Sequence, residues 1–577
     1  MIKKQAPKKI IKSKSKKKGS TMLDKFLSIF LLIGSVLIAM FFAYIVWLMI
    51  SNKSITYFLP AQKTVAYFEF DNASISKKSN QNSIVDMINL SPVLQKSFSL
   101  DIKKLQKDLM HGKFGLALID HNDKNNPLLF FRISSKSKTL NYFKQLGLSN
   151  EKLTITGDKK DVLYSYPQSH NFNFTFVGPY LFIAEKSDTL KLVQDVYSKK
   201  EKGLNEDQDY IKTIANLPKY NWGRAYINVK SFNLTSANPI NQIVDPLKYI
   251  INHFALTVRK RPNGFHFNTL LSINPQLLAF KKGYVDPTKF SYKLADYIGT
   301  ENLAVYVGGS NLSDEWENTL KTVSKLNPAY GVILEGVLRA QVSKVFSDQV
   351  SLRNDIYPIF NDEYALILEK IPTFSTKSDD KSKNTIVSKD FNLGIKLILK
   401  HSDKKFAKIK ADKLISGFKL IAAKLTPQLK IFKLPDGKEN REVTATSKNL
   451  KETKETYKGN EIRCMDIPGS YYGFCYTVTN TLIIMGNNAA SIKETIDLKS
   501  NSKTALSKSQ SFRKSLSNLS IVSDEVTFVK FDNLSKIIAD TKINPIVSNF
   551  FSSFSSAAWV KRYFNDGVST EGYLLLK

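Results

Sequence analysis

Between Phe26 and Ile50 the chain reads FLSIFLLIGSVLIAMFFAYIVWLMI, 25 residues without an Asp, Glu, Lys, Arg, His, Asn or Gln. A helix needs about 20 apolar residues to cross the hydrocarbon core of a bilayer, so this run predicts one transmembrane helix over 26–50. Tyr44 and Trp47 lie near its outer end, where amphipathic rings favour the interface. Residues 1–25 form a basic tail with ten Lys and one acid, Asp24; Lys16, Lys17, Lys18 and Lys25 stand nearest the run. Positive residues stay on the cytoplasmic side, which places the N-terminus inside and residues 51–577 outside. A cleaved signal peptide has a shorter apolar stretch, about 7–15 residues, and a small-x-small cleavage site. Here the longer run is followed by SNKSITYFLP. The run is therefore read as an uncleaved signal anchor in the cell membrane.

The exported part carries an internal repeat of five blocks in the same order. The first is a turn and strand, FLPAQKTVAYFEF from Phe58 and YIGTENLAVYVGG from Tyr297. A strand pair and a charged helix follow: Lys113–Ser134 with Thr139–Leu146, then Glu363–Lys370 and Phe391–Leu399 with Asp403–Leu420. The third block is a hairpin feeding a helix, from Phe172 and from Tyr472, with Ser187 and Asn488 as N-caps. The fourth is a short helix and strand, from Asp209 and from Ser511. The fifth is a closing hairpin turning at Pro262-Asn263-Gly264 and at Asn565-Asp566-Gly567. The expected fold is α+β: one transmembrane helix, then two homologous repeats of antiparallel sheet with packed helices, over 51–285 and 286–577. Polar insertions near 373–390 and 436–460 lengthen the second and are expected to be surface loops or extended hairpins.

This pattern resembles a family of bacterial exported proteins, domain of unknown function 3352. The resemblance rests on Leu59-Pro60-Ala61, the strand Thr64–Phe68, the hairpin and helix at Tyr180–Leu192, and the step Tyr210–Pro218 before the strand Ala225–Val229. It implies two copies, with Ile298-Gly299-Thr300 replacing the Leu-Pro-Ala turn in the second. It implies an anchored envelope protein and brings no catalytic residues.

Charge narrows the function classes. The net charge is +33, yet only ten of the 84 basic residues are Arg, the residue of bidentate phosphate and base recognition. This fits a solvated surface, or loose attraction to lipid head groups and anionic envelope polymers, and no sequence-specific nucleic acid. Histidines 111, 121, 170, 253, 266 and 401 have no metal-ligand spacing, and phosphate-loop and nucleophile-elbow motifs are missing. No cofactor or metal site is expected. Ser74-Ile75-Ser76-Lys77 lacks the Lys-Thr-Gly partner of a penicillin-binding site. The tract Asp120–Asn126 departs from a calcium loop at Lys124 and reads as a hairpin tip. Cys464 and Cys475 lie on neighbouring strand segments, where a cross-strand disulfide or two buried thiols are both compatible. Tyr471, Tyr472, Phe474 and Tyr476 could stack on a base or sugar, but strand cores use the same period-2 spacing. The sequence thus points to a non-enzymatic binding or scaffold protein, with carriage of a hydrophobic (lipid) ligand as the alternative and a cell-wall enzyme behind it.

Overall fold

The computed structural model describes residues 54–71, 110–121, 124–145, 154–157, 162–166, 172–219, 221–231, 248, 251–273, 292–309, 312–370, 393–425, 428–433, 435, 438–444, 450, 452–467, 473–500, 502–519, 523, 525–532, 534, 552–564 and 567–577. The run 26–50, with Phe26, Tyr44, Trp47 and Ile50, and the basic tail lie outside these residues, as does the insertion 373–390. Among the described residues no helix is long and apolar enough to cross a membrane.

Alternating apolar segments form strands, and all of their pairings are antiparallel. In chain order the first half contains β1 (Thr64–Asp71), β2 (Met110–His121), β3 (Lys124–Ile133), α1 (Lys136–Gln145), β4 (Thr154–Thr156), β5 (Leu163–Tyr166), β6 (Phe172–Val177), β7 (Tyr180–Ala184), α2 (Ser187–Tyr197), α3 (Gln208–Ala215), β8 (Gly223–Asn228), β9 (Ile251–Arg261) and β10 (Gly264–Ile273). The second half contains β11 (Ala304–Gly309), α4 (Leu312–Leu326), α5 (Pro328–Phe346), β12 (Glu363–Lys370), β13 (Leu393–Lys400), α6 (Lys404–Leu425), β14 (Gln428–Lys433), β15 (Glu439–Thr444), β16 (Glu452–Tyr457), β17 (Asn460–Asp466), β18 (Gly473–Val478), β19 (Leu482–Gly486), α7 (Ala489–Ser500), α8 (Gln510–Ser517), β20 (Val526–Lys530), β21 (Phe554–Phe564) and β22 (Gly567–Leu576).

Twenty strands make one open sheet. In the first half the order from the outer edge is β4-β5-β6-β7-β3-β2-β1-β8-β9-β10. Strand β10 then pairs with β22, and the order continues β22-β21-β20-β11-β12-β13-β19-β18-β17-β16 to the far edge. Among the described strands β14 and β15 stand apart, as a separate hairpin. The β6–β7 turn holds Gly178 at φ +56°, where a Cβ would be strained and would press on the Phe58 ring.

Helices cover both faces. On one, α2 and α3 bury Leu190, Val193 and Tyr210 against Tyr67, Ala117, Leu128 and Phe182, while α7 and α8 bury Ile492 and Phe512 against Val305, Ile367, Ile398 and Phe528. On the other, α1 sets Phe143 on Phe131 and Phe174, and α6 sets Ala411, Leu414 and Ile415 on Leu399, Ile483 and Met485. Trp222, Phe265, Phe531 and Phe554 join the halves on that second face.

Of the two readings open for the insertion 436–460, its described part takes the hairpin: β15 pairs with β14, and β16 pairs with β17 as the sheet's far edge. Helix α2 opens at Ser187 itself, with Lys186 in the cap position and no side-chain cap bond, whereas Asn488 Oδ1 accepts from the Ser491 amide at 2.9 Å as an N-cap should. The helical pair α4–α5 lies between β11 and β12, and the corresponding segment between β1 and β2 lies outside the described residues. Helix α5 hides from periodicity because it carries Val332, Ile333 and Val337 on its exposed side as well as apolar residues inside.

Candidate functional site

Two interior clusters carry most of the polar chemistry. The first surrounds Lys396, which is fully buried on β13. Its sequence context, Leu393-Gly394-Ile395-Lys396-Leu397, puts the apolar phase on the opposite face, so alternation alone would turn the lysine to solvent. Because helices cover both faces, it is enclosed instead. Its Nζ lies 3.0 Å from Glu369 Oε2 and 2.9 Å from Glu494 Oε2. Ser491 Oγ donates to Glu369 Oε1 at 2.5 Å. A recess of about 220 Å³ opens beside them, lined by Glu301, Asn302, Glu369, Lys370, Asn488, Ser491 and Glu494. The Ser491 hydroxyl points at a carboxylate already held by a lysine, and its residue is buried. A nucleophile needs a free base and a donor pair for the developing oxyanion; this cluster pairs its members with one another instead.

The second cluster is a polar row across the same face of the sheet. Glu69, Arg224, Thr257, Asn268 and Glu571 stand opposite one another in register on β1, β8, β9, β10 and β22. Around the row, Tyr67 and Tyr210 share a 2.7 Å hydroxyl hydrogen bond, and Tyr226 OH lies 2.9 Å from His253 Nδ1. His266 joins Arg259 at 2.8 Å through Nδ1 and Glu571 at 2.5 Å through Nε2. Burial, reinforced by Tyr210, pushes the Tyr67 phenol well above its ordinary range, and burial likewise raises Tyr210 and Tyr226. These phenols therefore stay protonated and act as hydrogen-bond donors. Burial lowers the pKa of His253 against the opposing pull of Asp209, so near neutral pH its ring is a neutral hydrogen-bonding group. Four buried atoms of the row and its border, Glu69 Oε2, Arg224 Nε, Thr257 Oγ1 and Arg259 Nε, have no partner among the described residues.

The surface is chemically plainer and more uneven. Exposed large apolar side chains concentrate between residues 332 and 431: Val332, Ile333, Val337 and Val345 on α5, Leu366 and Ile395 on β12 and β13, Phe406, Ile409 and Leu425 on α6, and Ile431 on β14. A solvated helix normally keeps its apolar stripe inward. Helix α5 does so with Val342 and Phe346 and repeats the chemistry outward. A single exposed apolar residue means little, but a cluster marks an interaction surface. Beside α5, Leu320, Gly331 and Val332 floor an open recess of about 560 Å³ rimmed by Lys321, Lys325 and Arg353.

Cys464 and Cys475 lie directly opposite on β17 and β18, with sulfurs 2.01 Å and Cα atoms 4.0 Å apart, inside the apolar cluster under α7. Tyr476 is buried, and Phe474 packs on Phe346 and Phe418, so neither offers an open ring face. Asp120 and His121 close β2, Lys124 opens β3, and Asn126 Nδ2 donates to the Lys124 carbonyl at 2.7 Å, a hairpin tip. Among the described residues no three His, Cys, Asp or Glu are grouped to hold a metal ion. Lys16, Lys17, Lys18 and Lys25 of the tail and Ser74–Lys77 lie outside the described residues. The sequence reading missed Lys396, Glu369, Glu494, His266 and Glu571. The available signal was a charged residue flanked by apolar neighbours inside a strand.

The fold and site define an α+β protein built on one long antiparallel sheet with a largely paired polar interior. Residues 134–414 match the family model described as a protein of unknown function, DUF3352. The match is a single span that begins after β3, crosses between the halves and ends within α6. No curated protein matches the chain. Among solved structures, crystal form III of TP0453 is 15% identical, covering 41% of this chain and 90% of that one at a TM-score of 0.24. Crystal form I is 13% identical over 41% and 82%, also at 0.24. At those scores the likeness carries no argument.

Proposed function

We propose that this chain is a single-pass membrane protein whose exported body is one α+β module written twice, and that it works as a non-enzymatic binding or scaffold protein at the outer face of the membrane. The observation that carries the functional part is the contrast between interior and surface. The interior ionisable groups largely answer one another, and among the described residues no nucleophile faces a cleft with a free base. Ten of the fourteen exposed large apolar side chains among the described residues fall between 332 and 431. Solid apolar cores on both faces of both halves weigh against enclosure of a lipid and against the carrier reading.

Support for the duplication comes from the pairings. Strand β1 lies between β2 and β8, as β11 lies between β12 and β20; β3 meets β7, as β13 meets β19. Leu204 N donates to Leu59 O and Leu506 N to Ile298 O, both at 2.7 Å, so the Leu-Pro-Ala turn and its Ile-Gly-Thr replacement make the same contact. Superposing the turns at Gly264 and Gly567 makes Asn268 and Glu571 equivalent, and these two face each other across β10 and β22. A pair of equivalent residues meeting face to face is what a pseudo-two-fold joint between two copies produces.

The anchor rests on the charge-free run and its basic flank. Membrane-impermeant maleimide applied to right-side-out vesicles should label Lys191→Cys and spare Ser20→Cys in the full chain. Labelling of Ser20→Cys alone would reverse the topology, and release of the protein by alkaline carbonate would remove the anchor. Recovery of catalytic turnover on a cell-wall polymer, lost on Lys396→Met, would overturn the non-enzymatic reading.

A further inference from the structure

We infer that the outward faces of α5 and α6 form a docking surface for an anionic lipid bilayer, an inference that rests on the membrane-anchored reading above. Val332 is 74% exposed, Ile333 59% and Val337 54%. Positions 332, 333, 336, 337 and 340 follow helical spacing and hold Val, Ile, Gly, Val and Ala, a ridge without charge. Arg339 and Lys344 are exposed beside it. The neighbouring α6 carries seven Lys and one Asp over Lys404–Leu425, of which Lys408 pairs with Glu461 and Lys410 and Lys413 with Asp355, and it exposes Phe406 and Ile409 among them. That Asp, Asp412, is bonded to Arg463 and Tyr476.

Three observations select the occupant. The ridge is exposed, and apolar side chains exposed on a helix with flanking lysines suit the head-group boundary of a bilayer, where lysine stems lie along the acyl region and their ammonium groups reach the phosphates. The charge around α5 is positive on balance, Lys321, Lys325, Arg339, Lys344 and Arg353 against Glu335 and Asp348, so a second copy of this face would be repelled and an anionic surface attracted. The charge-free run ends at Ile50 and the described chain begins at Ser54. Four residues span at most about 15 Å, so on the anchored reading the folded body is held at the bilayer and docking is an intramolecular event.

The test uses the full chain with its two native cysteines oxidised. A single Val337→Cys carries an environment-sensitive fluorophore, and the protein is reconstituted in phosphatidylcholine bilayers with or without 30% phosphatidylglycerol. We expect a blue shift and at least twofold quenching by spin-labelled acyl chains in the anionic bilayer. Both should weaken in pure phosphatidylcholine and be lost on adding Ile333→Glu. The same probe at Lys191→Cys on α2 should stay in water. A probe at 337 that resembles the one at 191 in anionic bilayers overturns the proposal. So does a blue shift that rises with protein density but is not quenched from the acyl chains, because that reports a second copy. Alkaline carbonate extraction of the same samples separates the two readings. Retained protein with an unquenched probe refutes docking and leaves the anchor. Extracted protein refutes the anchor, and its flotation with anionic vesicles then decides docking alone.

Discussion

Replacing Lys396 by Leu isolates what the buried ion cluster contributes. The lysine is fully enclosed, and its 3.0 Å contact to Glu369 is worth about 5–6 kcal/mol of attraction at an effective dielectric of about 20. Desolvation of the ammonium opposes this by several kcal/mol. The Glu494 arm adds little, because that carboxylate is 46% exposed and solvent screens the pair to below about 1 kcal/mol. Removing the lysine leaves the Glu369 carboxylate buried with Ser491 Oγ as its remaining partner. Breaking such a pair costs about 3–5 kcal/mol, and the surviving hydrogen bond puts the expectation near the lower end, about 3 kcal/mol.

Glu369→Ile/Lys396→Leu should behave differently. On the duplicated reading Leu128 occupies the place of Lys396, since Leu128 faces Ala117 on β2 as Lys396 faces Ile367 on β12. Two residues further along those strands come Ile119 and Glu369. The double variant thus installs the pair that the first half buries in its own core, and should return to within about 1 kcal/mol of the parent. Hydrogen exchange of β13 and α7 amides in the full chain reads this locally, without requiring the whole molecule to unfold in one step. About 3 kcal/mol corresponds to roughly a hundredfold faster exchange. A single variant that exchanges within threefold of the parent, or a double variant no better protected than the single, would refute the reasoning.

Cys464→Ala/Cys475→Ala opens a loop of about ten residues and should cost about 2–3 kcal/mol by the chain-entropy account; urea midpoints before and after reduction check it, and two thiols titrating in oxidised protein would contradict it. Asp355 is buried in the turn before β12 and receives Lys413 at 2.6 Å, the Ser351 amide at 2.9 Å and Lys410 at 3.1 Å. Burial would raise its pKa, but these three bonds together hold it below the ordinary carboxylate value. For a depressed acid the stabilisation is complete above the unfolded pKa of about 4 and disappears as pH falls through the folded value. Asp355→Asn should therefore lower stability by about 2 kcal/mol at pH 7, discounted for the half-exposed Lys413, and the deficit should shrink below about pH 4 in thermal melts. His253 has the same sense in a higher pH window: its folded pKa is lowered mainly by burial, so the unfolded chain takes up a proton first as pH falls below about 6.5. Stability should decline across that window, and melting curves of His253→Phe between pH 5 and 7.5 should be flatter than the parent's.

The legible parts of the fold were those where one face carries the signal. The closing hairpins β9–β10 and β21–β22, the β6–β7 and β18–β19 hairpins and the cap at Asn488 all show in period and turn chemistry. What stayed hidden has a common cause. Helix α5 exposes apolar residues among charged ones, so no clean stripe reveals its phase, and β16, in an insertion read as a surface loop or extended hairpin, is a charged edge strand whose burial pattern barely alternates. Lys396 sits out of phase in its own strand because helices cover both faces of the sheet, so alternation no longer separates inside from outside. Partners such as Glu571 for His266 lie 305 residues apart and are joined only by the β10–β22 pairing.

That pairing also explains why the halves are unlike inside. On the duplicated reading Tyr67, Arg224, Tyr226 and His253 in the first half take the places of Val305, Val526, Phe528 and Ser556 in the second. The ion cluster of Lys396, Glu369 and Glu494 in turn replaces Leu128, Ile119 and Leu192. Two identical cores could exchange their covering helices α2 and α7, or α3 and α8, at no cost. An exchanged helix would set Glu494 against Leu128, or leave Lys396 facing Leu192 with only Glu369 to hold it, mismatches that are softened because Glu494 is half exposed. The divergence therefore opposes misassembly of a duplicated chain. It also leaves the two halves free to differ outside, where the exposed apolar ridge of α5 belongs to the second.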